Sequence, residues 1–188
     1  MKNSFIALLL VSLFTISSFA QKNIGITGEN NWFINWTNFK PAKTEYRESN
    51  KVLTGIIDKD TKLTRQNTYN LVGVVYVTNK AVLTIEPGTV IRGDKETCGT
   101  LVITKGAKII AEGTETDPIV FTSNKSVLSR RPGDWGGIVI LGDAPINRLG
   151  GETFLDFGFD QNFGFYGGQN AQSNSGILKY VRIEYAGH

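Results

Sequence analysis

The densest gathering of chemically capable side chains lies in LGGETFLDFGFDQNFGFYGGQNAQSNSG, residues 149–176. Glu152, Asp156 and Asp160 stand there among Phe154, Phe157, Phe159, Phe163, Phe165 and Tyr166. Ring faces stack on sugars and carboxylates accept hydrogen bonds from hydroxyls. Phe157, Phe159, Phe163, Phe165 and Tyr166, with Asp156 and Asp160, are therefore candidate contacts for a glycan or a protein partner. The acids could also contribute to a calcium site. Three hard oxygen donors fall short of the ~6–8 that calcium takes unless backbone or water oxygens complete the shell, so no cofactor is assigned. A structural reading stands beside these. The stretch is too apolar for simple disorder and too long for an ordinary connection, which fits a flap folded over one flank of the chain.

Elsewhere the chemistry is sparse. The lone histidine is His188 and the lone cysteine Cys98, so histidine acid–base chemistry has no candidate and no internal disulfide forms. Asp58 and Asp60 open DKDTKLT with calcium-loop spacing, but Leu63 stands where that loop needs Gly and Tyr69 where it needs Glu. They read as a solvated turn. A net charge of +3, with bases scattered along the chain, lacks the clustered basic footprint of nucleic-acid binding.

The elements that must position these residues announce themselves by repetition. LTIEPGTVIRG begins at Leu83, and LVITKGAKIIA follows it from Leu101. Leu83 falls on Leu101, Ile85 on Ile103, Gly88 on Gly106 and Ile91 on Ile109, all at one constant offset. A third copy, IVILGDAPI, places Ile138, Ile140 and Ile146 in the same roles, with Asp143 at the turn. A fourth start, VRIEY, alternates Val181, Ile183 and Tyr185, and PIVFTS supplies another short strand. The period inside each phrase is two, which is strand, and Gly then forces a corner. Strand, corner, strand, loop and strand at this spacing reads as the coils of a parallel β-helix. Stacked coils would set Leu83, Leu101 and Ile138 in one inner column and Ile85, Ile103 and Ile140 in another, with Ile109 and Ile146 also inward. A β-sandwich also shows short alternating strands, but does not predict such columns.

LTIEPGTVIRGD, LVITKGAKIIAEGTETDPIVFTS, PGDWGGIVILGDAPIN and SGILKYVRIEYAG, in that order, resemble the repeats of exported right-handed parallel β-helix proteins common in Bacteroidetes. The resemblance covers residues 63–188. It implies an all-β, pectin-lyase-like right-handed superhelix and a place at the cell surface. Most members have no established activity; polysaccharide or cell-surface proteins are the expected partners.

That architecture hosts lyases and glycosidases. Glycoside hydrolysis needs two carboxylates at fixed separation. Outward positions of the repeated strand are Thr84, Glu86, Val102, Thr104, Val139, Leu141, Arg182 and Glu184. Glu86 and Glu184 are the acids among them, about 14 Å apart at ~4.8 Å per coil, too far to act together. Polygalacturonases, which share the superhelix, carry Asn-Thr-Asp, Asp-Asp, Gly-His-Gly and Arg-Ile-Lys in order. Here Arg182-Ile183-Glu184 has Glu in place of that Lys, Gly187-His188 follows it, and no Asp-Asp pair occurs. The expectation is a non-catalytic exported surface or matrix protein. The alternative is a β-helix polysaccharide lyase or glycoside hydrolase with its site mostly beyond residue 188.

The ends complete the organisation. Residues 1–20 carry Lys2, an apolar run and Ser18-Phe19-Ala20, the pattern of an export signal. The apolar run is too short to span a bilayer. Location in the periplasm, on the outer-membrane surface or outside the cell follows. Residues 21–62 read as a non-repeating segment in which Trp32, Phe33, Trp36 and Phe39 cap the superhelix. Residues 63–188 read as coils interrupted by the insertion at 149–176. The superhelix is expected to be incomplete at its C-terminal side, and so to aggregate or to associate through the edge at Tyr180 to Tyr185.

Overall fold

The computed structural model describes residue 37, residues 40–156 and residues 158–188. The export signal and the aromatic cap fall outside them, as does Phe157.

After a 3-10 turn at Pro41–Lys43 the described chain is strand and loop. The strands are β1 (Lys51–Leu53), β2 (Ile56–Ile57), β3 (Thr61–Leu63), β4 (Thr68–Leu71), β5 (Val74–Val77), β6 (Val82–Ile85), β7 (Val90–Gly93) and β8 (Thr100–Ile103). They continue as β9 (Lys108–Glu112), β10 (Ile119–Ser123), β11 (Gly137–Ile140), β12 (Glu152–Phe154), β13 (Phe165–Gly167), β14 (Gly176–Lys179) and β15 (Val181–Ile183). Sheet A runs β1-β4-β7-β10-β15, sheet B runs β2-β5-β8-β11, and sheet C runs β3-β6-β9-β14. Every pairing within these sheets is parallel. Each coil visits A, then B, then C, which is a parallel β-helix. Its first coil, β1–β3, begins before Leu63, inside the segment expected not to repeat.

The register corrects the meaning of the repeated phrase. Thr68 stacks beside Val90, and Val74 beside Thr100. From β4 onward each coil is therefore longer than the step from Leu83 to Leu101. Leu83 stacks on Ile109 rather than Leu101, and Ile85 on Ala111 rather than Ile103. Leu101 and Ile103 stack on Val75 and Val77. The expected pairs Leu101–Ile138 and Ile103–Ile140 do form. LTIEPGTVIRG is the corner from sheet C to sheet A, and LVITKGAKIIA the corner from sheet B to sheet C. Both turn at a left-handed glycine, Gly88 at φ 78° and Gly106 at φ 86°. A corner needs the same local pattern wherever it sits: inward aliphatics, a positive φ, then one more inward Ile.

The third copy turns no corner. β11 ends at Ile140, the chain leaves into the insertion, and sheet C resumes only at β14. The partner of Ile109 is Gly176, not Ile146, and Ile146 lies outside any strand. Ile140, expected inward, is 41% exposed because β11 is the edge of sheet B. VRIEY is likewise no copy of the phrase: β15 joins sheet A beside β10. Glu86 and Glu184 thus belong to different sheets.

One apolar core fills the superhelix, with Leu71, Val75, Val77, Leu83, Ile91, Leu101, Ile103, Ile109 and Phe121 among its members. Trp135 enters it from the PGDWGG turn and stacks on Phe121, centroids 6.2 Å apart. The room is made by Gly93, where a Cβ would stand 2.5 Å from the Trp135 side chain. The indole N–H donates to Glu184 O at 2.7 Å. The turn is held by Asp134, which accepts from Ser123 Oγ (2.7 Å) and the Arg131 N–H (2.9 Å) and pairs with Lys125 Nζ (3.0 Å).

Candidate functional site

Side chains alternate across each sheet, so every inward column has an outward one. The outward residues of sheet B are Val74, Tyr76, Val102, Val139 and Leu141, an apolar strip that would be costly to leave wet. The insertion covers it. β12 and β13 pair antiparallel, Thr153 opposite Tyr166 and Phe154 opposite Phe165. From this hairpin and its loop, Leu155, Phe159, Phe163 and Tyr166 pack against Tyr76, Val102 and Leu141. Tyr76 and Phe163 rings lie 5.0 Å apart, and the Asp160 N–H donates to the Tyr76 hydroxyl at 2.8 Å. Glu152 pairs with Lys105 at 2.6 Å.

This arrangement divides the residues singled out from sequence. Phe159, Phe163 and Tyr166 are half-buried in the contact with sheet B and serve to hold the hairpin down. Phe165 faces solvent with Phe154, 50% and 44% exposed, their centroids 6.2 Å apart and the rings inclined at 54°. Asp156 is exposed, and Asp160 Oδ1 accepts from the N–H and side-chain amide of Asn162. Among the described residues no group of three or more His, Cys, Asp or Glu comes together as a metal site.

Sheet A carries a second site that sequence reading missed. Its inward residues include Leu71, Ile91 and Phe121, so Asn70, Arg92 and Thr122 point outward, each beside the next. Glu184 follows in the same column, its N–H bonded to Phe121 O at 2.8 Å. This column is charged and yet buried: Arg92 is 1% exposed, Thr122 0% and Glu184 8%. Residues 44–50 cover it. Arg92 Nη1 donates to Arg47 O at 3.1 Å and meets Glu48 Oε2 at 3.0 Å, while Nη2 donates to Asn124 O at 3.2 Å. The Tyr46 hydroxyl donates to Glu184 Oε1 at 3.0 Å and accepts from Arg182 Nη2 at 2.6 Å. The Arg130 guanidinium lies 5.3 Å over the Tyr46 ring and donates to Thr44 O at 2.8 Å. Burial, and then the Glu184 carboxylate, push the Tyr46 phenol up to about 12, so it stays protonated at neutral pH. The signal was present in the alternation of Ile91-Arg92 and Ile183-Glu184. Aligning those residues required the true coil lengths, which the shorter offset between the repeated phrases hides.

The comparisons agree with this geometry. No curated protein and no solved structure matches the chain significantly. A family description does match, the pectate-lyase-like β-helix domain, and it spans residues 55–188. That stretch contains β2 to β15 whole and most of the chain, and with parallel strands stacked in three sheets it establishes that the protein belongs to the pectate-lyase-like β-helix family.

Proposed function

We propose that the protein is a non-catalytic, exported surface or matrix component, a β-helix scaffold that presents the hairpin of residues 149–176 to polysaccharide. The observation that carries this reading is the solvent-facing pair Phe154 and Phe165 on a hairpin pinned to sheet B by Tyr76 and Phe163. A ring pair held by packing behind it meets a sugar at little entropic cost. Three acids of the superhelix serve structural roles. Glu86 is paired with Lys62 at 2.7 Å, Asp134 holds the PGDWGG turn, and Glu184 is bound by Tyr46. Hydrolysis would need two carboxylates about 5–9.5 Å apart across one bond, and these serve separate partners on separate elements. Export follows from residues 1–20, and no helix among the described residues is long and apolar enough to cross a membrane.

The test is a polysaccharide panel. The full chain is expected to be retained by at least one immobilised glycan, and Phe154→Ala with Phe165→Ala to lose retention while melting unchanged. Release of reducing ends from any polysaccharide by this chain would overturn the non-catalytic assignment. Equal retention of the double variant would remove the hairpin from the binding role.

A further inference from the structure

Residues 44–50 cross the outer face of sheet A and join its ladder only at Asn50, just before β1 begins. They hold on by polar contacts: Tyr46 to Glu184 and Arg182, the Arg47 carbonyl and Glu48 to Arg92, and the Thr44 carbonyl to Arg130. At Asn50 the segment bonds to Thr68 through both main chain and side chain. None of its residues is fully buried: Thr44, Tyr46 and Ser49 are half-buried, the rest are exposed, and Tyr46 is its one ring against the superhelix. It does not sit flush either. A groove of about 460 Å³ runs beside it, lined by Tyr46, Arg47, Arg65, Asn67, Val90 and Asp117. On the covered face, Asn70 Oδ1, Arg92 Nε and Thr122 Oγ1 are buried without a hydrogen-bond partner. A permanent cover is close-packed and satisfies all the polar groups beneath it; this one satisfies some and leaves a groove at its side and these three atoms unpaired.

We propose that the outer face of sheet A is a docking groove for an extended peptide, in which residues 44–50 sit as a displaceable internal stand-in. The stand-in shows what the groove reads. Arg130 and Arg92 receive main-chain carbonyls, Glu184 and Arg182 hold a tyrosine hydroxyl between them, and Arg92 takes a carboxylate two residues further on. The partner that fits is an extended protein segment with tyrosine and, two residues later, an acid. Its other side chains would reach the groove along Arg65, Asn67 and Asp117. This site is separate from the hairpin on sheet B and stands whether or not that hairpin binds glycan.

The probe is a fluorescently labelled synthetic peptide of residues 43–50, titrated into the full chain and into the Tyr46→Ala/Glu48→Ala double variant. In the parent protein the tethered segment competes at an effective concentration of ~mM. The peptide should therefore bind the double variant tighter by on the order of tenfold or more. The same peptide carrying Tyr46→Ala should lose that gain. Equal, weak binding of the peptide to parent and folded double variant overturns the proposal and makes residues 44–50 a fixed part of the fold. Should the alanine variant not fold, Tyr46→Phe/Glu48→Gln keeps the shape, removes both anchoring groups, and is read the same way.

Discussion

Two outer faces of the same superhelix are covered by chain that belongs to no coil, and they are covered by opposite means. On sheet B the hairpin drives Phe159, Phe163 and Tyr166 onto Tyr76, Val102 and Leu141, so the cover is held by apolar burial. On sheet A the segment 44–50 has no fully buried residue, only the half-buried Tyr46 ring, and is held by guanidinium groups, a phenol and carboxylates. Apolar burial is non-directional and grows with area, so the hairpin is fixed as a body. Polar contacts exchange with water at a net gain of only about 1 kcal/mol each, so the strap is held at points. The first cover is a platform, and the second a latch.

The sharpest control lies in the core that both faces share. Ile103→Asp places a carboxylate in an inner column beside Val77, without a charged partner. It should abolish the cooperative melt followed by circular dichroism, because burying an unpaired charge exceeds the stability of an ordinary domain. Within the comparison the largest effect belongs to sheet B. Tyr76→Ala removes the ring against Phe163 and the acceptor for the Asp160 N–H, and should cost about 3 kcal/mol. Limited proteolysis should then cut within 155–164 in the variant before the parent. Resistance equal to the parent's would show that burial does not hold the hairpin.

Sheet A should respond less, and to pH. Tyr46→Phe removes the hydroxyl between Glu184 and Arg182 and should cost about 1 kcal/mol in a denaturant titration. Its phenol is raised from 10.0 to about 12 in the folded chain. Between those values the folded state holds a proton that the unfolded state has lost. Stability contributed by Tyr46 is thus complete below pH 10 and falls away as pH rises toward 12. Tyr46→Phe should flatten that alkaline loss; an unchanged slope would detach the phenol from the latch. Asp134, near the same face, behaves in the opposite sense. Burial raises it, but the Ser123 hydroxyl, the Arg131 N–H and Lys125 outweigh burial and hold it below the ordinary carboxylate value. Its contribution is present above about pH 4 and is lost as pH falls through its folded value, so Asp134→Asn should weaken the acid limb of the stability profile. The smallest effect is expected for Phe165→Ala, under about 0.5 kcal/mol at a half-exposed position, with its consequence confined to glycan retention.

Local pattern by itself determined the strands of the phrases at Leu83 and Leu101, the glycine corners at Gly88 and Gly106, and the stacking of parallel coils, because alternation and positive φ are properties of a few neighbouring residues; it missed the first coil, β1–β3. It also marked the insertion as something other than a coil, from its density of Phe and Gly. What it could not determine was which residues stack. A corner is encoded the same way at every vertex of the coil. The two copies of one phrase that begin at Leu83 and Leu101 therefore look like neighbours although they occupy different vertices. Only the closed superhelix, in which Val90 meets Val120 and Val74 meets Thr100, sets Arg92 beside Thr122 and brings Glu184 within reach of Tyr46. The same closure decides that Phe154 and Phe165 face solvent while Phe163 does not. Which side of a hairpin is buried depends on the apolar strip it finds on another part of the chain, and no local pattern records that.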